Sequence, residues 1–151
     1  MLRFPIGAFI RSLRGGGIVS TTPRIALTGT PGTGKSTVAR LLSASGYSII
    51  SVEELAAAAG ALDEIDKIDN ARPVDIELLL SYLNKSWKSL PQEPVIIDGH
   101  LSHHLPTDAV VVLRCEPEIL RSRLEQRDYS EKKIIGNVEW EILGGAWNEK
   151  E

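Results

Sequence analysis

Two features that are scarce in the sequence limit the classes of protein to which it can belong. Its 151 residues include one cysteine, Cys115, so no disulfide can form within the chain, which favours a reducing, cytoplasmic environment. No apolar run reaches the roughly 20 residues that a transmembrane helix needs, so we expect no membrane partner. With 42% hydrophobic and 25% charged residues, the composition is that of one globular domain large enough to bury a core.

Acidic residues are absent from positions 1–23, which carry three arginines. Apolar residues at helical spacing beside these arginines are typical of an organelle-targeting presequence, but three consecutive glycines at 15–17 interrupt a long helix. A disordered tail and a start codon assigned too far upstream are the alternatives. We therefore leave residues 1–23 out of the predicted domain, which spans 24–151.

The acidic residues are concentrated in the segment 51–80, where eight of them accompany two basic residues. Its eight acidic and two basic residues give it a net charge of −6, against −3 for the whole chain, so the acidic excess lies in this segment. Such a segment is most often a solvated face, and alternatively it meets a basic partner.

A glycine-rich segment reads G-x-x-x-x-G-K-S from Gly29 to Ser36. The apolar residues 24–28 before it predict a short strand, and apolar residues at helical spacing over 38–42 predict a helix after it. A strand, this pattern and a helix in succession are the context of a phosphate-binding loop. The segment therefore predicts nucleotide binding.

The residue types of this loop match the chemistry of phosphate binding. Gly32 and Gly34 let the backbone curl so that successive N–H groups point at anionic oxygens, and the following helix adds its positive amino end. We expect Lys35 to reach the β- and γ-phosphates and the Ser36 hydroxyl to ligate Mg²⁺. Thr37 can donate a hydrogen bond to a phosphate nearer the nucleoside.

Strand and helix patterns alternate along the rest of the chain. Near-continuous runs of valine, isoleucine and leucine predict buried parallel strands, and apolar residues at i, i+3, i+4 spacing predict the helices between them. This order indicates an α/β three-layer sandwich of the phosphate-loop NTPase type, with a mainly parallel sheet that binds ligands at the carboxyl ends of its strands. The predicted strands are 24–28, 47–51, 95–97 and 109–113, and the later predicted helices are 52–61, 76–87, 117–127 and 134–142.

The stretch VIIDGHLSHHLP, residues 95–106, is a second candidate site. Asp98 ends a buried strand, as does the carboxylate that organises Mg²⁺ in phosphate-loop enzymes; alternatively it caps a turn. A neutral His100 could orient or activate a water or an acceptor oxygen. We do not expect His100, His103 and His104 to bind a metal, because no acidic or cysteine cluster completes the ligand set.

Basic residues cluster around a polar break between the last two predicted helices. A mobile basic segment of this kind can close over a triphosphate, exclude water and neutralise charge during transfer. The alternative is an ordinary mixed-charge helix surface, since acidic residues are nearly as numerous here. The basic residues are Arg121, Arg123, Arg127, Lys132 and Lys133.

Four stretches together resemble one family: GTPGTGKST, DGHLSHHLP, VVLRCEPEIL and RLEQRDYSEKKIIGNVEWEIL. They are similar to the adenylate kinase isoenzyme 6 family, the coilin-interacting nuclear ATPase group with its archaeal relatives. The resemblance covers about residues 24–143, and the Asp-x-His and Arg-x-Tyr-Ser-Glu-Lys-Lys motifs distinguish it from ordinary adenylate kinases.

This resemblance implies a nucleoside monophosphate kinase fold, phosphoryl transfer from ATP to a nucleoside monophosphate with Mg²⁺, and ATP hydrolysis. It also implies a role in small ribosomal subunit maturation and rRNA processing, through a small-subunit ribosomal protein of the S-eleven type.

The resemblance assigns roles to residues by their position in these motifs. The lid arginine that packs on the nucleotide is Arg127, and the pair tied to Mg²⁺ and hydrolysis is Asp98 and His100. The monophosphate-binding segment corresponds to about 52–75 and the lid to about 126–136. The triphosphate contacts are Gly32, Gly34, Lys35, Ser36, Thr37 and Arg127, the catalytic residues Lys35, Asp98, His100 and Arg127, and the metal ligands Ser36 and Asp98.

Two departures from the family pattern bear on function. The monophosphate-binding segment usually offers an arginine to the acceptor phosphate, and this chain has no basic residue from Val52 until Lys67. The family also continues with a final strand, an adenine-holding loop and a helix, where this sequence ends in GGAWNEKE. We therefore expect four strands in place of five, as in a truncated product.

Three interpretations of function stay open at this point. The first is a nucleoside monophosphate kinase with ATPase activity. The second is an assembly factor in which ATP binding gates the release of a ribosomal protein, with little kinase activity, and the third is an impaired nucleotide-binding fragment. A shikimate or other small-molecule kinase would share the loop, but the Asp-Gly-His and lid sequences argue against it. No sequence-specific nucleic-acid binding is predicted.

Overall fold

A computed structural model describes residues 22–64 and 72–149. The predicted tail 1–23 lies outside the described residues except for its last two positions. The strands are β1 (Arg24–Gly29), β2 (Ser48–Ser51), β3 (Val95–Asp98) and β4 (Ala109–Leu113), and the helices are α1 (Lys35–Ala44), α2 (Val52–Ala59), α3 (Ile76–Ser86), α4 (Pro117–Glu125) and α5 (Glu131–Ile142), with short 3-10 turns at Ser102–His104 and Gly145–Trp147. None of the helices in these two stretches combines the length and the apolar character that crossing a bilayer requires.

The strands form a parallel sheet in the order β2-β3-β1-β4, with four strands in the described part of the chain. This confirms the predicted α/β, nucleoside monophosphate kinase-like fold. Leu27 of β1 lies opposite Asp98 of β3, and Gly29 lies opposite Leu113 of β4. The phosphate-binding loop therefore leaves the sheet in its interior, beside the carboxyl end of β3, where parallel sheets bind ligands.

Side chains at the helix amino ends explain where several helices begin. Ser51 and Glu54 form a capping box at the start of α2, in which each side chain bonds the other residue's backbone N–H. The Asp75 carboxylate accepts the Leu78 N–H at the start of α3, and Pro117 occupies the first turn of α4. These caps satisfy N–H groups that have no partner within a helix.

Helices cover both faces of the sheet and bury its strands. On one face, Ala39 of α1 packs against a cluster that contains Leu27 and Ile96. On the other face, α2 and α3 contribute to a larger cluster that includes Leu83 and Ile97. The three layers predicted from the alternating pattern are therefore present, because adjacent strand residues point to opposite faces and both faces are apolar.

Helices α4 and α5 form a hairpin with an apolar cluster of its own. Leu120, Leu124 and Ile134 are each at most 3% exposed and pack together. Outside this cluster, Arg121 pairs with Glu131 across the turn at 2.7 Å. The predicted lid, about 126–136, is the turn of this hairpin together with the first half of α5.

The predicted helix boundaries differ from the observed ones in the hairpin. The helix predicted to begin at Ile134 begins three residues earlier, at Glu131, because the Ser130 hydroxyl accepts the Lys133 N–H and caps it. The residues 131–133 are polar, so an apolar pattern does not include them. The helix predicted to reach Arg127 ends at Glu125.

Candidate functional site

The backbone of the phosphate-binding loop adopts conformations that favour glycine. Gly32 and Gly34 have φ of 95° and 106°, which L side chains rarely adopt. A Cβ atom on Gly32 would lie 2.8 Å from the Cδ1 atom of Leu120. Helix α1 begins directly after Gly34 with no side-chain cap, so its amino end faces the loop's interior and is suited to an anion.

The Lys35 side chain folds back over this loop. Its Nζ atom donates hydrogen bonds to the carbonyl oxygens of Gly29 at 2.5 Å and of Thr30 at 3.0 Å. Burial lowers the pKa of Lys35 from 10.5 to about 8, and the Arg127 charge acts in the same direction, against the attraction of Asp98 and Glu141. The ammonium group is therefore poorly solvated, and an anion in the loop would favour its charged form.

Asp98 provides the carboxylate that faces this lysine. Its Oδ1 atom is buried and has no hydrogen-bond partner among residues 22–64 and 72–149, although buried polar atoms in proteins are nearly always bonded. Burial raises the pKa of Asp98 above its ordinary value, and the Lys35 charge opposes this. This carboxylate oxygen and the exposed Ser36 hydroxyl line the same cleft, and oxygen donors of this kind suit Mg²⁺, so these residues fit the metal that the loop motif implies.

A cleft of about 630 Å³ brings the predicted site residues together. The triphosphate-contacting positions of the loop line it from one side, Asp98 and His100 from a second, and Arg127 from the hairpin. The roles assigned to these residues stay predictions, but their convergence on one cleft is observed. The predicted residues that line it are Gly32, Gly34, Lys35, Ser36, Thr37, Asp98, His100 and Arg127.

The three histidines after β3 have different surroundings. His100 lines the cleft, and surrounding protein atoms lower its pKa, with the Lys35 charge acting in the same direction. The buried His103 contacts Thr28 Oγ1 through Nδ1 at 2.9 Å and Glu149 through Nε2 at 2.5 Å, and His104 lies 3.3 Å from Glu149. The lowered pKa of His100 favours its neutral form.

Glu149 gives these histidines a carboxylate neighbour that the local sequence did not show. The nitrogen ligand atoms of His103 and His104 and a Glu149 oxygen lie within 4.8 Å of one another. This group has three members, whereas a tight structural site needs about four ligands. The prediction that no metal binds these histidines relied on the lack of an acidic neighbour, which Glu149 supplies. Hydrogen bonding between the carboxylate and the rings also accounts for the grouping, so metal binding here is not tested.

The basic residues of the hairpin separate into different roles. Arg127 is exposed and lines the cleft, as the lid prediction requires. Arg121 instead pairs with Glu131, and Arg123 donates to the carbonyl oxygen of Gly32 at 3.1 Å. Part of the predicted basic cluster therefore lines the cleft, while another part holds the hairpin and the loop together.

One face of α5 lines the cleft, and of its residues only Lys133 belongs to the predicted basic cluster. Lys133, Asn137 and Trp140 line the cleft and recur at i, i+4, i+7, which places them on one side of a helix. Tyr129 lies beside them, with Lys133 Nζ 4.4 Å from its ring centroid. Their helical spacing was visible in the sequence, but their mixed chemistry is not that of an apolar stripe.

Comparison with known proteins extends this description of the site. Residues 25–144 match a protein family model described as AAA domain. The chain belongs to this family. Two of its relatives are curated as "Putative adenylate kinase": one from Archaeoglobus fulgidus, 44% identical over 119 residues, and one from Methanocaldococcus jannaschii, 38% identical over 121 residues.

These alignments cover 79% and 80% of this chain and 61% and 67% of the two relatives. The chain thus spans between about three fifths and two thirds of the length of these relatives. The names agree with the predicted adenylate-kinase-like family, whereas the isoenzyme 6 branch stays a prediction.

Solved structures agree on the fold. The crystal structure of TT1252 from Thermus thermophilus matches with a TM-score of 0.52 and 19% identity, over 78% of this chain and 79% of that one. An uncharacterised protein from Eubacterium ventriosum matches with a TM-score of 0.51 and 17% identity, over 80% of this chain and 73% of that one. At these identities, the likeness shows the architecture alone.

Proposed function

We propose that the chain is the catalytic part of a nucleoside monophosphate kinase of the adenylate kinase type, which transfers the terminal phosphate of ATP to a nucleoside monophosphate. The observation that carries the proposal is the convergence of Lys35, Asp98 and Arg127 on one cleft built around a phosphate-binding loop. The names of the curated relatives support the same reaction class.

Different residues of the cleft have different roles in phosphoryl transfer. The amino end of α1 and the loop N–H groups hold the β- and γ-phosphates, and Lys35 leaves its carbonyl partners to meet them. Ser36 and Asp98 are the residues that would hold Mg²⁺, which supplies charge neutralisation at the phosphate oxygens when bound. Arg127 approaches from the hairpin, where it opposes charge that develops in the transition state.

The segment 52–75 is the predicted binding region for the acceptor nucleoside monophosphate. In the segment 52–75, the described basic residue is Arg72, whose Nε atom donates to the carbonyl oxygen of Asp63 at 3.0 Å. Lys67 lies outside the described residues. The acceptor nucleoside monophosphate is therefore to be identified by assay.

A coupled assay tests the proposal directly. ATP is supplied with each nucleoside monophosphate in turn, and nucleoside diphosphate formation is compared with that of Lys35→Met and of Arg40→Met, which changes an exposed cation on the same helix. We expect activity in the wild type and in Arg40→Met, and a loss of about 100-fold or more in Lys35→Met. Equal activity in all three proteins, or none with any monophosphate, contradicts the proposal.

We also propose ATP hydrolysis as a second activity of the same cleft. The observation that favours it is that His100, whose pKa burial lowers, lines the same cleft as Asp98. A neutral imidazole can accept a proton from an attacking water as the bond to phosphate forms. Phosphate release from ATP without an acceptor measures this activity, and a rate equal to that of Lys35→Met would contradict it.

A role in small ribosomal subunit maturation is a further proposal, supported by the resemblance of the sequence motifs. The acidic residues Glu53, Glu54, Asp63 and Glu64 are exposed, so they are available to a basic partner such as a ribosomal protein of the S-eleven type. Such an association should weaken as salt rises, because exposed charges are screened. A pull-down at low and high salt tests it, and no association at low salt contradicts it.

A further inference from the structure

The carboxylate of Glu141 is buried where α5 meets β4 and the phosphate-binding loop, and the proposed chemistry does not use it. Glu141 is 1% exposed. Its Oε1 atom accepts hydrogen bonds from Arg114 Nε at 2.8 Å and from the Cys115 N–H at 2.9 Å, and its Oε2 atom accepts the Thr30 hydroxyl. A charged group this deeply buried is stable only when its oxygens are satisfied in this way.

Hydrogen bonding keeps this carboxylate ionised. Burial by itself would raise the pKa of Glu141, but the bonds from Thr30, Cys115 and Arg114 together lower it below its ordinary value. The acceptor for the Thr30 hydroxyl is therefore a charged one, and hydrogen bonds to charged groups are stronger than neutral ones. The contact between α5 and the loop is accordingly a strong, directional attachment.

Thr30 is the loop residue that links the bond to Glu141 with the proposed phosphoryl transfer. It is 2% exposed. Its carbonyl oxygen accepts the Thr33 hydroxyl at 2.8 Å, the Thr33 N–H at 3.2 Å and Lys35 Nζ at 3.0 Å. Glu141 thus fixes the side chain of the residue whose backbone organises the turn and holds the lysine.

Helix α5 connects this attachment to the predicted lid. Its amino end lies in the hairpin turn, its middle presents Lys133 and Asn137 to the cleft, and its last turn carries Glu141. A helix of this length is stiff along its axis. A displacement of the lid end would therefore reach the loop through Glu141.

We propose that Glu141 is a positioning residue, which sets the phosphate-binding loop through Thr30 and couples the loop to the helix that follows the lid. The inference rests on the proposed function of the same cleft. The competing explanation is that Glu141 only neutralises Arg114 and stabilises the fold, as buried ion pairs can do. The two explanations differ in what removal of the Thr30 hydroxyl should do.

Four variants separate them. Thr30→Val removes the hydroxyl with little change of shape and leaves Glu141 bonded to Arg114 and Cys115. Glu141→Ala removes the carboxylate, and Glu141→Gln keeps its shape and part of its hydrogen bonding. The matched control is Asp108→Ala, which removes a carboxylate that accepts the Arg24 N–H at 2.8 Å at the opposite end of β1. Each protein is measured for melting temperature, ATP affinity, kcat, KM and amide hydrogen exchange of the loop.

We expect Thr30→Val to lower kcat about tenfold, because the charge-assisted bond that fixes Thr30 in the phosphate-binding loop is lost, with KM changed less than about threefold. The loop amides should exchange faster while the melting temperature changes little. Glu141→Ala should lower kcat as much and should also lower the melting temperature. A Thr30→Val/Glu141→Ala double variant should turn over no more slowly than Glu141→Ala alone. Glu141→Gln should recover part of kcat, and Asp108→Ala should leave kcat unchanged.

Normal kcat and normal loop exchange in Thr30→Val, with only a lower melting temperature in the Glu141 variants, would overturn the inference. If Glu141→Ala does not fold, Thr30→Val and Glu141→Gln still decide the outcome. A wild type that binds ATP but transfers no phosphate would refute the proposed function instead. In that case the loop exchange rates of Thr30→Val still test the attachment.

Discussion

The affinity of the cleft for a triphosphate should fall as the pH rises above neutrality, because the lysine of the loop is poorly solvated. Burial lowers the pKa of Lys35 from 10.5 to about 8 in the nucleotide-free protein. A bound triphosphate favours the protonated amine, so binding above that pH must be accompanied by proton uptake. The affinity therefore depends on the fraction of Lys35 that is already protonated.

The size of the effect follows from this pKa. If only the ammonium form binds, affinity falls about tenfold for each pH unit well above about 8, and about thirtyfold between pH ~7 and pH ~9.5. His100 does not disturb this window, since burial lowers its pKa from the ordinary value of 6.5. The terminal phosphate of the ligand titrates near pH ~6, also outside it.

Calorimetric titration with a non-hydrolysable ATP analogue, at constant Mg²⁺ and ionic strength, measures this dependence. Lys35→Arg is the control that keeps the charge, because a guanidinium does not titrate here; its affinity should be independent of pH. Lys35→Met should bind weakly at every pH. A wild-type affinity that stays constant, or the same slope in Lys35→Arg, would refute the reasoning.

Four further changes test other parts of the site. Asp98→Asn should fold normally and require about tenfold more Mg²⁺ for half-maximal turnover; an unchanged Mg²⁺ dependence would exclude Asp98 as a ligand. His100→Ala should lower ATP hydrolysis about 10- to 100-fold with little change in affinity, and the reverse pattern would make His100 a binding residue. Gly32→Ala should cost more stability in urea than Gly46→Ala, by about 1–3 kcal/mol, since both have positive φ but only Gly32 has neighbours within 4 Å; equal losses would contradict the crowding. Glu141, with a pKa lowered from 4.5, contributes stability that is lost as the pH falls through its folded pKa, so Glu141→Gln should show a flatter acid limb in urea unfolding.

Most of the fold was predictable because its signals are local and agree with one another. The apolar runs at Ile25 and Ile96, a glycine-rich turn after the first strand and the proline at 117 each specify an element without reference to the rest of the chain. Strand order was not specified locally, since parallel pairing joins residues far apart in sequence. The pairing of Leu27 with Asp98 is what places the carboxylate beside the loop.

The loop side of the site was predictable and the α5 side was not. Lys35 and Asp98 occupy positions defined by a short motif and by the end of an apolar strand. Glu141 reads in the sequence as one more charged residue of a polar helix, and its partner Thr30 lies 111 positions away. The burial of Glu141 depends on hydrogen-bond donors that are distant in the sequence. The contact between α5 and the loop could therefore be identified only from the structure.

The contacts between the hairpin and the loop bear on how nucleotide enters and leaves. Leu120 approaches Gly32 closely, Arg123 holds the Gly32 carbonyl, and the hairpin has its own apolar cluster. A hairpin that moves as one unit keeps this cluster but breaks both contacts with Gly32. We therefore expect admission of ATP and release of product to depend on brief, shared fluctuations of hairpin and loop, so that a crosslink between α4 and α5 would leave turnover intact whereas one between α4 and the loop would stop it.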